Sequence, residues 1–358
     1  MGLYIHIPFC MSKCLFCSFV IAVGQEHRRR DYVEALVGEM KKYERSSIQT
    51  IYFGGGTPSM LEENHTDNLM NALRNNFLLS HDIEITIEAN PENIDFTKAK
   101  YLKSKGFNRI SLGVQSMNDR YLKFLGRRHD ASAAHGALDA LRQAGFTNIN
   151  LDLMYGFPGQ TRQELEEDVR TIALLGSEHL SLYGLTIEPN SRFYATQMKL
   201  DDDEKLAGQY LLIARLLVEH GFNQYEVSNF SKPGFESIHN RNYWRGDPYI
   251  GLGVGAHGFT GRRRYWNTSN LQTYLQKIAS EGQAIDGFED LSEDQLVMEK
   301  VLFGLRMNQG IPYGLVPLAK HTQVQDWVKD GFLLLEDGNL KTTDRGRLVL
   351  DELSARLI

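Results

Sequence analysis

The sequence predicts an α/β fold: an open, partial (β/α)6 TIM-like barrel, then a smaller, mainly helical, winged-helix-like C-terminal domain. Three observations predict it. Short β-rich runs alternate with longer amphipathic stretches through the first two thirds of the 358 residues, the pattern of a parallel sheet with right-handed helical crossovers. Six such units are too few for a complete eight-fold barrel. Glycine, proline and polar residues collect where these runs end, which is where barrels of this kind carry their chemistry.

Each element follows in order. Strand one is expected over Leu3–Ile7 and ends at a loop of cysteines. A helix near Tyr32–Tyr43 leads to a strand over Thr50–Phe53, which ends at Gly54-Gly55-Gly56-Thr57-Pro58. A helix at Asp67–Phe77 precedes Ile83–Glu88, which ends at Glu88-Ala89-Asn90-Pro91. A helix at Phe96–Lys105 precedes Arg109–Val114, which runs into Gln115-Ser116. A helix at Ala131–Ala144 precedes Asn148–Met154, which carries Asp152 and ends at Gly156-Phe157-Pro158-Gly159. A helix at Gln163–Leu175 precedes His179–Leu185, which runs into Thr186-Ile187-Glu188-Pro189, and a helix at Asp203–His220 completes the set. The expected divisions are a barrel over 1–221, a Gly- and aromatic-rich connecting segment over 222–270, and a C-terminal domain over 271–358. The tail reads as an apolar strand, a turn at Asp337-Gly338, a second strand and a helix from Asp344, the outline of a wing.

Charge excludes some functions. The net charge of −6 and an acidic tail that includes Glu336, Asp337, Asp344, Asp351 and Glu352 argue against nucleic-acid binding. The runs Arg28–Arg30 and Arg262–Arg264 are short and read as solvated loop charges. The N-terminus lacks the pattern of a signal peptide or a myristoylation site. No apolar run approaches the length of a membrane span. The expectation is a cytoplasmic protein whose thiols stay reduced.

The three cysteines, Cys10, Cys14 and Cys17, lie in the stretch IPFCMSKCLFCSF. An odd and local set is a poor disulfide framework. A Cys3His zinc site using His6 is an alternative, although structural zinc usually draws on two separated ligand pairs. Three thiolates spaced C-x3-C-x2-C on one loop suit a [4Fe–4S] cluster, which takes four cysteines when fully ligated. With three, one iron stays open to another ligand. Gly54–Gly56, on the same rim, would let a main chain approach a ligand there. Glu88, Gln115, Arg127 and Asp152 lie at or just beyond strand ends and offer acceptors and one guanidinium. A ligand with an amine, a carboxylate and a ribose needs that mixture. In the aromatic segment, His239-Asn240-Arg241-Asn242-Tyr243-Trp244 presents one candidate iron ligand, His239, and Gly255-Ala256-His257-Gly258 presents a second.

The run Tyr4-Ile5-His6-Ile7-Pro8-Phe9-Cys10 with Cys14, Phe16 and Cys17, followed by Phe53–Pro58, resembles the radical S-adenosylmethionine (SAM) superfamily. More narrowly it resembles the HemN/HemW branch, through Tyr155–Thr161, Tyr183–Pro189, Tyr225–Phe230 and the C-terminal domain. The resemblance implies a barrel of radical SAM type, a [4Fe–4S] cluster on Cys10, Cys14 and Cys17, and SAM chelating the open iron. One electron passed to the sulfonium would release methionine and a 5′-deoxyadenosyl radical. By motif position, Tyr4, Phe16, Gly55, Gly56, Thr57, Glu88, Gln115, Arg127 and Asp152 would line the nucleotide site.

Within that branch the features resemble the HemW haem chaperones. HemN-type coproporphyrinogen III dehydrogenases carry a fourth cysteine where Phe19 stands, and an N-terminal extension before strand one. The His239-Asn240-x-x-Tyr243-Trp244 pattern resembles the haem-associated motif of HemW, which implies haem on His239. HemW proteins usually continue after the third cysteine with Asp-Phe-Asn-Ser, and this chain has Ser18-Phe19-Val20-Ile21. The resemblance implies a chaperone that gives haem to an acceptor protein, with a flavodoxin- or ferredoxin-type electron donor. The alternative is a radical enzyme, either dehydrogenase-like or a HemN-like methyltransferase or cyclopropanase acting on a small molecule. Conversion of coproporphyrinogen III is not expected.

Overall fold

The computed structural model of the chain describes residues 1–357. Its frame is a twelve-stranded sheet. Strands β1 (Gly2–Ile7), β2 (Ser47–Gly55), β3 (Leu78–Ala89), β4 (Arg109–Gln115), β5 (Ile149–Tyr155) and β6 (His179–Gly184) lie side by side in chain order, all parallel. Each of the six expected strands is present. Their alternation sets two faces. In β1, Leu3, Ile5 and Ile7 are fully buried against the helical layer, and Tyr4 and His6 turn to the inside of the barrel.

The helices are α1 (Arg29–Met40), α2 (Glu63–Asn76), α3 (Phe96–Lys105), α4 (Asp119–Leu125), α5 (Ala131–Gln143), α6 (Arg162–Leu174), α7 (Arg192–Ala195) and α8 (Asp203–Glu219). Local chemistry sets their ends. Thr161 and Glu164 form a reciprocal capping box at the start of α6. Asp95 and Asp130 cap α3 and α5, and Gly106 closes α3 in the left-handed conformation. One continuous core joins the helices to the sheet.

The segment 222–270 is not a separate connector. It adds β7 (Asn223–Gln224) and β8 (Asn229–Ser231) beside β6. After α9 (Ile238–Arg245) it adds β9 (Tyr249–Leu252), parallel to the free side of β1. Strands β10 (His257–Phe259), β11 (Arg263–Asn267) and, after α10 (Leu271–Glu281), β12 (Ile285–Asp290) continue antiparallel. The physical reason is that β1 is buried, so both rows of its backbone polar groups need a partner strand. The outer strands β12 and β7 do not pair with each other, so the barrel is open.

A second, smaller core gathers Val301, Leu305, Ile311, Leu333, Leu340 and Leu353. It is built from α11 (Glu293–Gly304) and short helices around a three-stranded sheet of Ile311–Pro312, Asn339–Thr342 and Leu333–Glu336. The expected strand, turn and strand of the tail are there, with a helix from Asp344. No helix among the described residues is long and apolar enough to cross a membrane.

Because Leu305 is fully buried in that second core, Leu305→Ala should lower stability by about 2–5 kcal/mol. A denaturant melt followed at Trp327, which packs on this core, would read the loss. Among the described residues of the barrel sheet segment, only Val227 packs against this core, so barrel tyrosine signals should shift less.

Candidate functional site

The first two strands create the site. Beyond the end of β1 the pairing continues: Gly56 N–H donates to the Ile7 carbonyl at 2.8 Å and Thr57 N–H to the Phe9 carbonyl at 2.9 Å. A short parallel pair, Phe9–Cys10 with Ala22–Val23, closes the base of the cysteine loop. The loop is also tied across the barrel mouth, where Leu15 N–H donates to the Leu125 carbonyl and Phe193 N–H to the Leu15 carbonyl. The three thiols are half-buried. They open onto one cavity of about 480 Å3.

That cavity brings together nearly all of the residues expected there. Phe16, Gly55, Gly56, Thr57, Glu88, Gln115, Arg127 and Asp152 line it together with Cys10, Cys14 and Cys17. Tyr4 is the exception. Its Oη lies 3.1 Å from His6 Nδ1, its ring stacks on Tyr52, and it does not contribute to the lining.

A hydrogen-bond arc connects two of the thiols. Cys10 Sγ lies 3.6 Å from Thr57 Oγ1, and Asn90 Nδ2 donates to the same Oγ1 at 3.2 Å. Arg127 Nη2 donates to Asn90 Oδ1 and to the Gly113 carbonyl, both at 2.7 Å, while Nη1 reaches Cys14 Sγ at 3.6 Å. Asn90 was not among the candidate residues. Its place directly after the third strand, two residues beyond Glu88, was the available signal. Burial pushes the Cys10 thiol up to about 11, against the lowering hydrogen bond from Thr57, and raises the Cys17 thiol as well. Metal coordination needs thiolates, so iron loading displaces protons here.

Two carboxylates face the same space. Glu88 accepts from Tyr52 Oη at 2.9 Å and from Gly55 N–H at 3.0 Å. Asp152 accepts from Asn150 Nδ2 at 2.7 Å. Burial, then the charge of Asp152, pushes Glu88 up to about 7. Burial likewise raises Asp152 to about 6. A cationic ligand between them would relieve both. Gln115 sits at φ +72°, after a register shift in the β4–β5 pairing. A non-glycine residue in that region marks strain held in place by its surroundings.

The glycine run lines the cavity and also meets the end of β1. A Cβ on Gly55 would lie 2.5 Å from the His6 imidazole, and one on Gly56 would lie 2.7 Å from the Pro8 backbone. Gly55 also has φ +113°. These glycines let β2 close on the end of β1. Their first role is to seat the cysteine loop, and the ligand clearance they offer is through their backbone.

The zinc alternative loses support. His6, the fourth ligand of a zinc site, has both ring nitrogens engaged, with Tyr4 and with the Val20 carbonyl at 2.8 Å. Among the described residues no three of His, Cys, Asp and Glu are placed to chelate a single ion. His239 is 1% exposed in α9, away from the cavity. Its Nδ1 lies 2.8 Å from Thr50 Oγ1 and its Nε2 2.8 Å from Tyr243 Oη. Haem iron on His239 would take the place of Tyr243 Oη at Nε2 or of Thr50 Oγ1 at Nδ1.

Two outcomes test the site. Gly55→Ala should disturb the cysteine loop itself, lowering the melting temperature and changing the rate at which a thiol reagent labels the cysteines. The pH dependence follows from Glu88. Its folded value lies above the unfolded one, so the native state binds the proton more tightly. That stabilisation is complete below pH 4.5 and is lost as pH rises through 7. Glu88→Gln should therefore flatten the decline of melting temperature across that range, and an unchanged slope would exclude Glu88 as its source.

Comparison with known proteins places this geometry. The model of the Radical SAM superfamily matches residues 4–172. A heme chaperone HemW of Mycobacterium tuberculosis is 35% identical over 100% of this chain and 94% of its own length. That of Bacillus subtilis is 37% identical over 86% of this chain and 84% of its own, and that of Escherichia coli K12 34% over 99% and 97%. Among solved structures, coproporphyrinogen III oxidase (HemN) from Escherichia coli, a radical SAM enzyme, superimposes with a TM-score of 0.86 at 26% identity, covering 99% of this chain and 89% of that one. End-to-end identity on this scale, over a barrel with three cysteines on its rim, settles the relationship: the chain belongs to the HemW family of the radical SAM superfamily.

Proposed function

We propose that this chain is a haem chaperone: it binds haem and passes it to an acceptor protein. The observation that carries this reading is the likeness to HemW chaperones along the whole chain. Cys10, Cys14 and Cys17 would hold a [4Fe–4S] cluster. Bound there, the cluster leaves one iron open to the amine and carboxylate of SAM and supplies an electron to its sulfonium. The residues present fit that load. The Arg127 guanidinium, whose Nε has no hydrogen-bond partner, suits the carboxylate. Glu88 and Asp152 suit a cation and ribose hydroxyls. Phe16 offers an apolar face for the adenine, Gln115 offers an amide, and the main chain at Gly55, Gly56 and Thr57 flanks Cys10. Tyr4 would act from behind, through His6 and the end of β1.

The electron donor would be a flavodoxin- or ferredoxin-type protein, and the working compartment the cytoplasm, where thiols stay reduced. A second reading is a radical enzyme acting on a porphyrinogen, favoured by the superposition on HemN. Against it, Phe19 stands two residues after Cys17, 64% exposed, where HemN-type dehydrogenases carry a further cysteine.

Anaerobic reconstitution should give about four irons per chain. The reconstituted protein should bind haem and release it to a haem-free acceptor. Absence of haem binding would sink the chaperone reading. In a parallel anaerobic assay with reductant and SAM, coproporphyrinogen III should stay unconverted. Appearance of protoporphyrinogen would favour the enzyme.

A further inference from the structure

The cysteine loop borders two spaces. One is the cavity already described. The second is an open recess of about 800 Å3. Met11, Phe19 and Ile21 line both, whereas the three cysteines, Glu88, Arg127 and Asp152 line only the first. The recess is apolar at its centre. Phe19 is 64% exposed, Met11 44% and Val23 43%. Single exposed apolar residues are ordinary, but a cluster of them marks an interaction surface. Among the described residues that line the recess, the charged ones are Lys13 and Arg192, both cations. The chain as a whole carries a net charge of −6, so the sign is reversed locally. The cysteines are also close at hand in the chain. Met11 directly follows Cys10, Lys13 directly precedes Cys14, and Phe19 stands two residues after Cys17.

The loop that carries these groups is held in place. The short pair Phe9–Cys10 with Ala22–Val23 closes its base. Val20 is pinned twice: its carbonyl lies 2.8 Å from His6 Nε2, and a Cβ on Gly255 would lie 2.8 Å from its side chain. Lys13 Nζ donates to the Asn190 carbonyl at 3.0 Å, two residues before Arg192. A surface already ordered in this way loses little freedom when a partner docks.

We propose that this recess docks an anionic, flavodoxin-type protein that passes one electron to the cluster. The proposal rests on Cys10, Cys14 and Cys17 as the cluster ligands, and it locates where their electron arrives. SAM, chelated at the open iron, fills the cavity side, so a donor protein has to approach from another side of the loop. Lys13 and Arg192 steer an acidic surface toward the loop. A flavin has a planar, apolar ring edge that packs on Phe19 and Met11. The thiolate-bound cluster of a ferredoxin offers no such edge, which favours the flavin carrier. The step balances: the flavin hydroquinone gives up one electron and becomes the semiquinone, the cluster takes that electron, and no proton crosses.

The test mixes the reconstituted full-length chain anaerobically with a purified flavodoxin. Binding is read by biolayer interferometry across ionic strength, and electron transfer by bleaching of the cluster absorption in stopped flow. Wild type should bind, with association slowing as salt rises. Arg192→Glu, remote in sequence from the cysteines, should slow association at least about tenfold at low salt and lose most of the salt dependence. Phe19→Ala should instead speed dissociation by about tenfold. Both variants should keep the wild-type iron content and be reduced by dithionite at the wild-type rate, which a damaged loop would not allow. Wild-type binding and transfer in both variants would overturn the proposal. Reduction by a ferredoxin and not by the flavodoxin would overturn the choice of partner. If dithionite reduces the wild-type cluster but the flavodoxin neither binds nor reduces it, the proposal is wrong and the cluster reading stands. If wild type loads no cluster, that reading falls and the proposal with it.

Discussion

The close approach of the Gly54–Gly56 backbone to the end of β1 is the constraint on which the rest of the site depends. Gly55 faces His6 and Gly56 faces Pro8 at distances where no side chain fits. Because the strands close there, two main-chain hydrogen bonds run past the end of the sheet into the cysteine loop. They place Thr57 against Cys10, and Thr57 is the first member of the arc through Asn90 and Arg127 to Cys14. A loop of three cysteines has no regular structure of its own to hold it. Here its geometry is borrowed from a parallel strand pair. Parallel strands point the same way, so every βα loop contributes to the same rim.

The interior beneath that rim is polar in layers. Asn150 links Ser111 and Asp152, and accepts from Ser181 and from His179. His179 in turn lies 2.8 Å from Tyr225 Oη. Deeper still is Arg109, 1% exposed, with Nε and Nη2 lacking hydrogen-bond partners among the described residues. Two positions along β4 from Ser111, it turns to the same inner face. Its positive charge lowers Asp152, opposing part of the burial penalty. A partial barrel can keep such groups because its lumen is not filled by interlocking aliphatic side chains. The cavity polarity and the buried guanidinium are two aspects of one incompletely closed sheet.

The C-terminal domain is joined to this frame by polar and aromatic contacts. Glu226, fully buried, accepts from Arg306 Nη2 at 3.3 Å, and the Arg306 guanidinium lies 4.3 Å from the Trp244 ring centroid. Trp244 also meets Phe303 of α11. The motif that contains His239 also makes structural contacts: its histidine meets Thr50 and Tyr243, and its tryptophan meets Arg306 and Phe303. A sequence motif that looks like a ligand set is here partly a joint between two cores.

Much of the fold was legible in the sequence because period-two apolar runs, glycine-rich strand ends and capping residues are local signals. Leu3, Ile5 and Ile7 announce a strand wherever they fall, and Thr161 with Glu164 starts a helix by itself. The cysteine spacing named its chemistry for the same reason, since all three donors share one loop. What the sequence could not decide lies between residues distant along the chain. Asn90 joins the site only because β3 lies beside β2. Segment 222–270 becomes sheet only because β1 has a free edge. Gly55 meets the His6 imidazole, and the His239 imidazole meets Thr50, 189 positions away. Hydrogen bonding and burial at such separations are set by tertiary packing, so a histidine's availability to iron is a property of the folded chain and not of its motif.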